Sequence, residues 1–231
     1  MKAWLTLAAA VAFGIAPFVT EGFAGFTPDQ FPIPQDNAPV QPAGYAFSIW
    51  SVIYLWLLLY AVMGVAKHAR DPAWGKTYLP MAISMAIGAI WIKVATLSVI
   101  WATVLISAML LTALWAVHLS QRATPRWACA LPIGLYAGWL SAASCVALGL
   151  TGAGYGLLGD ALFWGWMMVL VAIGFAWMNQ RSLVGVWSYG LAVAWALIAV
   201  TIKNWDDAFG LAVFALIGAV MLAGLALKQT R

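Results

Sequence analysis

The chain has 231 residues, of which 65% are hydrophobic and only 8% are charged. A soluble globular domain has about 45–50% apolar and roughly 25% charged residues, so this composition excludes a soluble protein and requires lipid around the fold. The net charge of +4 comes from basic residues scattered singly between apolar runs, which excludes the continuous basic patch of a nucleic-acid-binding protein.

Apolar stretches of about one bilayer thickness follow each other along the whole chain. Because about 20 apolar residues cross a membrane as a helix, they predict an all-α, polytopic transmembrane helix bundle of about eight spans. The predicted spans are 3–20, 45–66, 77–96, 98–119, 128–149, 160–179, 183–202 and 207–227. Helix-breaking residues between them, such as 71–72, 124–125 and 151–154, are the predicted joints.

The first span begins like a signal peptide, with Lys2 followed by an apolar run to Val19. Residues 20–24, however, offer no clear small-x-small cleavage site. We therefore expect the first helix to be retained.

One connection, residues 21–42, is much longer than the others and contains five prolines. Proline cannot continue a helix, so this segment is predicted to lie outside the hydrocarbon. Loops of this length are usually either functional or disordered, and the sequence leaves open whether this one is a folded lid or a structureless tether.

The distribution of charge predicts the orientation, because short cytoplasmic loops are rich in Lys and Arg. With the N-terminus and the C-terminus both inside, nine of the eleven basic residues fall on the cytoplasmic side: Lys2, Lys67, Arg70, Lys76, Arg122, Arg126, Arg181, Lys228 and Arg231. The outer side receives six of the seven acidic residues, Glu21, Asp29, Asp36, Asp160, Asp206 and Asp207, with Lys93 and Lys203 as its only basic ones. We expect a multi-pass protein of the inner (plasma) membrane.

Aromatic residues form stripes on two of the predicted helices. Phe47, Trp50 and Tyr54 are spaced i, i+3 and i+7 at the outer mouth of the second span. A second stripe in the fifth span has the members Pro132, Tyr136, Trp139 and Ala143. A tyrosine hydroxyl or an indole N–H in hydrocarbon needs a partner, so these stripes indicate an aromatic-walled slot between the helices.

Residues 42–54, PAGYAFSIWSVIY, resemble the signature of the TspO/translocator-protein family, also called tryptophan-rich sensory proteins. In that signature an extracytoplasmic loop ending in Pro-Gly leads into a helix with Trp-x3-Tyr. Residues 135–143, LYAGWLSAA, are similar to the last helix of the family, and Trp91 lies where its third helix carries tryptophans. The resemblance covers about residues 1–150.

The resemblance implies a five-helix membrane protein that binds porphyrins, sterols or aromatic drugs between the first loop and the helices. By resemblance, the pocket residues are Trp50, Tyr54, Trp91, Tyr136 and Trp139, and Phe47 joins them from the first stripe. Lys93 follows Trp91 closely and is a candidate partner for a ligand carboxylate, although its side chain can also simply extend to the membrane surface.

The sequence departs from the family in two ways. Gly88-Ala89-Ile90 replaces an expected asparagine, and three further spans follow residue 150. We therefore divide the chain into a TspO-like region, 1–150, with a periplasmic loop at 21–44, and three additional helices in 151–231. Residues 189–205 also resemble the last family helix, which leaves an insertion or a faint internal repeat as alternatives.

Signatures of catalysis and of metal binding are missing from the sequence. It has no carboxylate pair, catalytic triad or Gly-rich phosphate loop, and His118 has no second ligand at a spacing suited to haem. Cys129 and Cys145 are too far apart on one helix to pair. The pair Gly134 and Gly138 indicates close helix packing, either inside the bundle or in a homodimer.

These observations predict a non-enzymatic membrane protein without a cofactor. Its expected function is to bind a flat apolar ligand, a tetrapyrrole or a sterol-like lipid, in the outer half of the bundle. A small-solute transporter is the alternative, and an assembly role in a membrane complex is a third possibility.

Overall fold

The computed structural model describes residues 1–20 and 25–229 and contains eight α-helices there. The helices are α1 (Lys2–Val19), α2 (Ile49–Ala66), α3 (Pro72–Ala95), α4 (Val99–Ser120), α5 (Ala130–Gly154), α6 (Ala161–Ser182), α7 (Trp187–Lys203) and α8 (Phe209–Lys228). Short 3-10 helices cover Pro28–Gln30, Gly44–Ser48 and Arg126–Ala128. The described part of the chain contains no strand.

Seven of these helices are long and apolar enough to cross a membrane. The remaining one, α7, has 17 residues, close to the shortest length that spans a bilayer, and is largely buried between its neighbours. The prediction of an all-α, polytopic membrane bundle is confirmed, whereas the orientation of its termini stays a prediction.

Two helix boundaries differ by five residues from the sequence prediction. Helix α3 begins five residues early, at Pro72, because the Asp71 carboxylate caps it by accepting from the backbone N–H groups of Ala73 (2.8 Å) and Trp74 (3.3 Å). Helix α5 continues through Gly154, so the joint expected at residues 151–154 was wrong.

The glycines that suggested this joint have a packing role. A side chain at Gly152 would overlap the Trp164 ring, and one at Gly154 would overlap the Phe31 ring. Both glycines therefore let a bulky aromatic side chain lie directly against the backbone of α5.

The first five helices form a closed ring. Helix α1 packs against α2 and α3, α3 packs against α4, α4 against α5, and α2 meets α5 to complete the ring. Helices α6 and α7 pack on α5 from outside this ring, and α8 packs on both of them. The division of the chain at residue 150 stays a prediction, but α5 is the helix that both groups share.

Residues 25–43 form a folded lid over one end of the ring, which we call the loop end. The N–H of Ile33 donates to the carbonyl of Gly154 (2.9 Å), and the N–H of Ala43 donates to that of Ala199 (3.1 Å). The lid's own side chains Phe31 and Val40 are buried. Within residues 25–43 the structure therefore favours the lid over the tether.

Some of the sequence predictions fall on residues outside the described part of the chain. The cleavage question rests on residues 20–24, of which only Thr20 is described, and the charge count includes Glu21 and Arg231.

Close packing of α5 against α7 explains why positions 134 and 138 are glycines. A Cβ atom at Gly138 would lie 2.9 Å from the carbonyl carbon of Tyr189, and one at Gly134 would collide with Val186 and Ser188. This contact joins two helices of the same chain, whereas a homodimer stays a prediction.

Cys129 and Cys145 are both free and buried.

Replacing Gly138 by alanine tests how closely α5 and α7 pack at this position. We expect Gly138→Ala to lower the free energy of unfolding by about 1–3 kcal/mol, because the new methyl group overlaps the α7 backbone. The measurement is thermal unfolding in one detergent. Gly174→Ala on α6 is the control, since its methyl group would meet no atom within 4 Å. Equal stability of the two variants would contradict this packing.

Candidate ligand-binding site

A cavity of about 250 Å³ lies inside the ring at the loop end, and we call it the α5 cavity. One face of α5 forms its wall, with Trp139 at the deep end and Leu150 towards the lid. Between these two, the same face carries only Ala142, Ala143, Val146 and Ala147. Their short side chains leave the space that larger ones would fill.

A second cavity of about 450 Å³ adjoins it beside α1, and we call it the α1 cavity. Phe13 and Pro17 of α1 line it together with Tyr54. Four residues line both cavities and form the partition between them: Phe47, Trp50, Trp91 and Ile106. The α1 cavity falls within the range of roughly 300–1,000 Å³ typical of small-molecule sites, and the α5 cavity is slightly below it.

The aromatic rings of the two predicted stripes contact each other. Trp50 stacks on Tyr54 with ring centroids 5.4 Å apart, and it meets the Trp139 ring edge-on at 6.1 Å. Phe47 approaches Trp139 at 6.1 Å in the same edge-on manner. The first stripe and Trp139 of the second stripe therefore meet in one region, as the spacing suggested, whereas ligand binding by these residues stays a prediction.

Tyr136 lies behind this region and lines neither cavity. It is fully buried, and its hydroxyl lies 3.0 Å from that of Ser84, which itself donates to the carbonyl of Met109. Since a serine hydroxyl has one proton, Tyr136 is the donor of this pair. Its role in the structure is to join α5 to α3 and α4 behind the aromatic rings.

The lysine that lines a cavity is not the one that the sequence suggested, and a role of either lysine in ligand binding stays a prediction. Lys93 is exposed and lies outside both cavities, whereas Lys203, at the end of α7, lines the α5 cavity. Among the described residues Lys203 has no ion-pair partner. The sequence analysis did not select Lys203, because the family resemblance ended at residue 150. The sequence feature that could have pointed to Lys203 is that it is one of only two lysines on the predicted outer side.

Other wall residues were also missed because no motif marks them. Phe13 of α1 contacts the rings of Trp50, Tyr54 and Tyr136 at centroid distances of 6.0, 4.8 and 5.8 Å. Gln41 reaches the α5 cavity from the lid.

Trp139 has a buried indole N–H without a hydrogen-bond acceptor. The side chain is 2% exposed, and its Nε1 atom has no partner among the described residues. Trp91, in contrast, donates from Nε1 to the carbonyl of Ala102 at 2.9 Å. A buried donor without an acceptor is unfavourable by about 1–3 kcal/mol, so Trp139 is an exception to the usual pairing of buried polar groups.

Metal and haem ligands do not gather in this region. No group of three His, Cys, Asp or Glu side chains suited to a metal occurs in residues 1–20 and 25–229. His118 lies far from the lid, at the other end of α4, where its ring nitrogens contact the carbonyl of Leu114 and the hydroxyl of Ser182.

Comparison with known proteins gives one match. The model of a family described as TSPO-like protein matches residues 4–228, which includes all eight helices almost completely. No curated protein and no solved structure matches the chain.

Replacing each of two tryptophans by phenylalanine tests the unsatisfied donor. Trp91→Phe removes a buried hydrogen bond, whereas Trp139→Phe removes a donor without a partner. We expect Trp91→Phe to lower the free energy of unfolding by about 1 kcal/mol more than Trp139→Phe does, as measured by thermal unfolding without ligand. A larger loss for Trp139→Phe would show that its N–H is already bonded.

Proposed function

The chain belongs to the TSPO-like family, and we propose that it binds a flat, largely apolar ligand, a tetrapyrrole or a sterol-like lipid, within the helix ring beneath the lid. The observation that carries this proposal is the pair of adjoining cavities divided by Phe47, Trp50 and Trp91. Binding without chemical conversion is the role proposed.

Aromatic contact and apolar burial would provide the affinity. The indole rings of Trp50 and Trp91 face both cavities, so a flat molecule in either one lies against them. Burying an aromatic face removes a large apolar area from water, and ring pairs add about 0.5–1.5 kcal/mol beyond that burial. The small residues of α5, such as Ala143 and Ala147, leave the opposite wall flat.

The lid and the charge distribution support an outward-facing site. We infer that both termini lie inside the cell and that residues 25–43 cover the ring on the outer face of the inner membrane. Asp29, Asp36, Asp160, Asp206 and Asp207 all lie beside the loop end, whereas the loops at the other end are basic.

We further propose that α1–α5 form the binding unit and that α6–α8 hold α5 in place. The contact of α7 with the site is direct as well, because Ala196 and Lys203 line the α5 cavity. The added helices would then complete the wall of the site besides supporting it.

Titration with protoporphyrin tests this function through quenching of the protein's tryptophan fluorescence. We expect Trp50→Ala to weaken binding about tenfold or more, because it removes a ring that faces both cavities. Ala143→Phe should weaken binding as well, since a phenyl group would fill the α5 cavity. Thermal unfolding checks that both variants fold.

Trp101→Ala is the matched control for this titration. Trp101 lies on α4, is 62% exposed and lines neither cavity, so its loss should leave the affinity unchanged. Unaltered binding in both Trp50→Ala and Ala143→Phe would show that the ligand binds elsewhere or not at all.

A further inference from the structure

A third cavity, of about 390 Å³, lies outside the helix ring, and we call it the α8 cavity. It lies at the loop end between the lid, the first turns of α6 and the start of α8, with Asn37, Trp166 and Phe209 among its walls. None of the described residues lines both this cavity and either cavity of the ring. A ligand in the α8 cavity is therefore separate from one inside the ring.

Two side chains with oxygen acceptors line the α8 cavity. The exposed carboxylate of Asp207 has no ion-pair partner in residues 1–20 and 25–229, and it accepts one hydrogen bond there, from the amide of Asn37 at 3.2 Å. Asn204 is 3% exposed and donates to the carbonyls of Pro39 (2.9 Å) and Val200 (2.8 Å). Its side-chain oxygen stays accessible and receives no hydrogen bond from the described residues. Such an oxygen on a nearly buried side chain calls for a donor.

The charge around these acceptors is negative. Lys, Arg and His are missing from the described lining of the α8 cavity, and the exposed carboxylates of Asp36 and Asp206 are next to its lining residues in the chain. Lys203, which precedes Asn204, lines the α5 cavity instead. The α8 cavity therefore favours a cationic group with N–H donors, which is a protonated amine.

Helix α8 begins in the same cavity without a side-chain cap. Its N-cap is Ala208, and Gly210 lines the cavity with its backbone, because glycine has no side chain. Among the described residues, the backbone N–H groups of Phe209 and Gly210 have no acceptor. Free N–H groups at the start of a helix bind phosphate oxygens. The cavity thus offers acceptors for an ammonium group and, beside them, donors for a phosphate.

The two helices that border the cavity present apolar side chains beyond it. Leu170 lies about one turn beyond Trp166 on α6, and Ile217 lies about two turns beyond Phe209 on α8. Both Leu170 and Ile217 are exposed, on helices long and apolar enough to cross a membrane. These surfaces provide an apolar path for acyl chains that begins at the cavity.

We propose that the α8 cavity binds the headgroup of a phospholipid that carries a primary ammonium, an ethanolamine-type lipid. The ammonium donates to Asp207 and to the side-chain oxygen of Asn204, and the phosphate accepts from the start of α8. The acyl chains lie along α6 and α8. A choline headgroup has no N–H group to donate, and a glycerol headgroup has no positive charge.

Native mass spectrometry of the whole protein in mild detergent tests this site. The protein is mixed with equal amounts of dioleoyl phospholipids with ethanolamine, choline or glycerol headgroups, and the bound lipids are distinguished by mass. The variants are Asp207→Asn and Trp166→Leu. Asp206→Asn is the matched control, because Asp206 is the neighbouring exposed carboxylate and lines none of the three cavities.

The unmodified protein should retain the ethanolamine lipid about fivefold over either of the other lipids, as expected for a hydrogen-bonded charge pair at a partly exposed site. Asp207→Asn should reduce this ratio to about twofold or less, because the ammonium loses its counter-charge. Trp166→Leu should lower the ratio about threefold, since an aromatic ring beside a cation attracts it. Asp206→Asn should keep the full ratio. Thermal unfolding checks that the variants fold.

Equal retention of the three lipids by the unmodified protein would overturn the proposal, and so would a full preference that persists in Asp207→Asn. Soluble glycerophosphoethanolamine, added in large excess, separates a lipid from a free amine. Retention of the bound lipid supports the proposal, whereas its displacement would show that the cavity recognises a soluble amine and that the assignment to a lipid is wrong. The titration with protoporphyrin is independent of all these outcomes, because the α8 cavity lies outside the ring.

Discussion

The close approach of α5 to its neighbours is the constraint on which the rest of the bundle depends. In lipid, helices gain little from apolar burial alone, and small residues that let backbones touch become decisive. Gly138 lets the α7 backbone lie against α5, and Gly152 and Gly154 admit the rings of Trp164 and Phe31. A different face of the same helix carries the alanines that leave the α5 cavity open. One helix therefore fixes both the added helices and the binding site.

Several buried polar side chains inside the bundle form hydrogen bonds with groups on other elements of the fold, so a buried polar group without a partner is informative. The hydroxyl of Tyr136 pairs with Ser84, that of Tyr189 pairs with Ser141 at 2.9 Å, and the Trp195 indole donates to the carbonyl of Ala46 at 3.1 Å. Such pairing is expected where no water reaches the groups. Among the described residues, the buried indole N–H of Trp139 has no hydrogen-bond acceptor, and the Trp139 side chain lines the α5 cavity.

The lid belongs to the same arrangement. Its backbone bonds to Gly154 and Ala199 lie at the loop-end portions of α5 and α7, and Asn204 donates to the carbonyl of Pro39 at 2.9 Å. The lid is thereby fixed to two helices, α5 and α7, that pack closely against each other. Gln41 and Pro42 of the lid line the α5 cavity, so the same contacts that hold the lid also define the upper end of the site.

The sequence by itself determined the number, length and type of the helices, because stretches of about 20 apolar residues have only one stable form in lipid. It also placed Phe47, Trp50 and Tyr54 on one helix face, since helical spacing assigns each residue to a face. It did not decide which neighbour that face meets. For this reason Tyr136 lies behind the rings, Lys93 lines neither cavity, and Lys203, from a helix more than 50 residues beyond Trp139 in the chain, lines the α5 cavity. Those positions depend on the rotation and register of packed helices, which the glycine contacts between α5 and α7 set only in the folded chain.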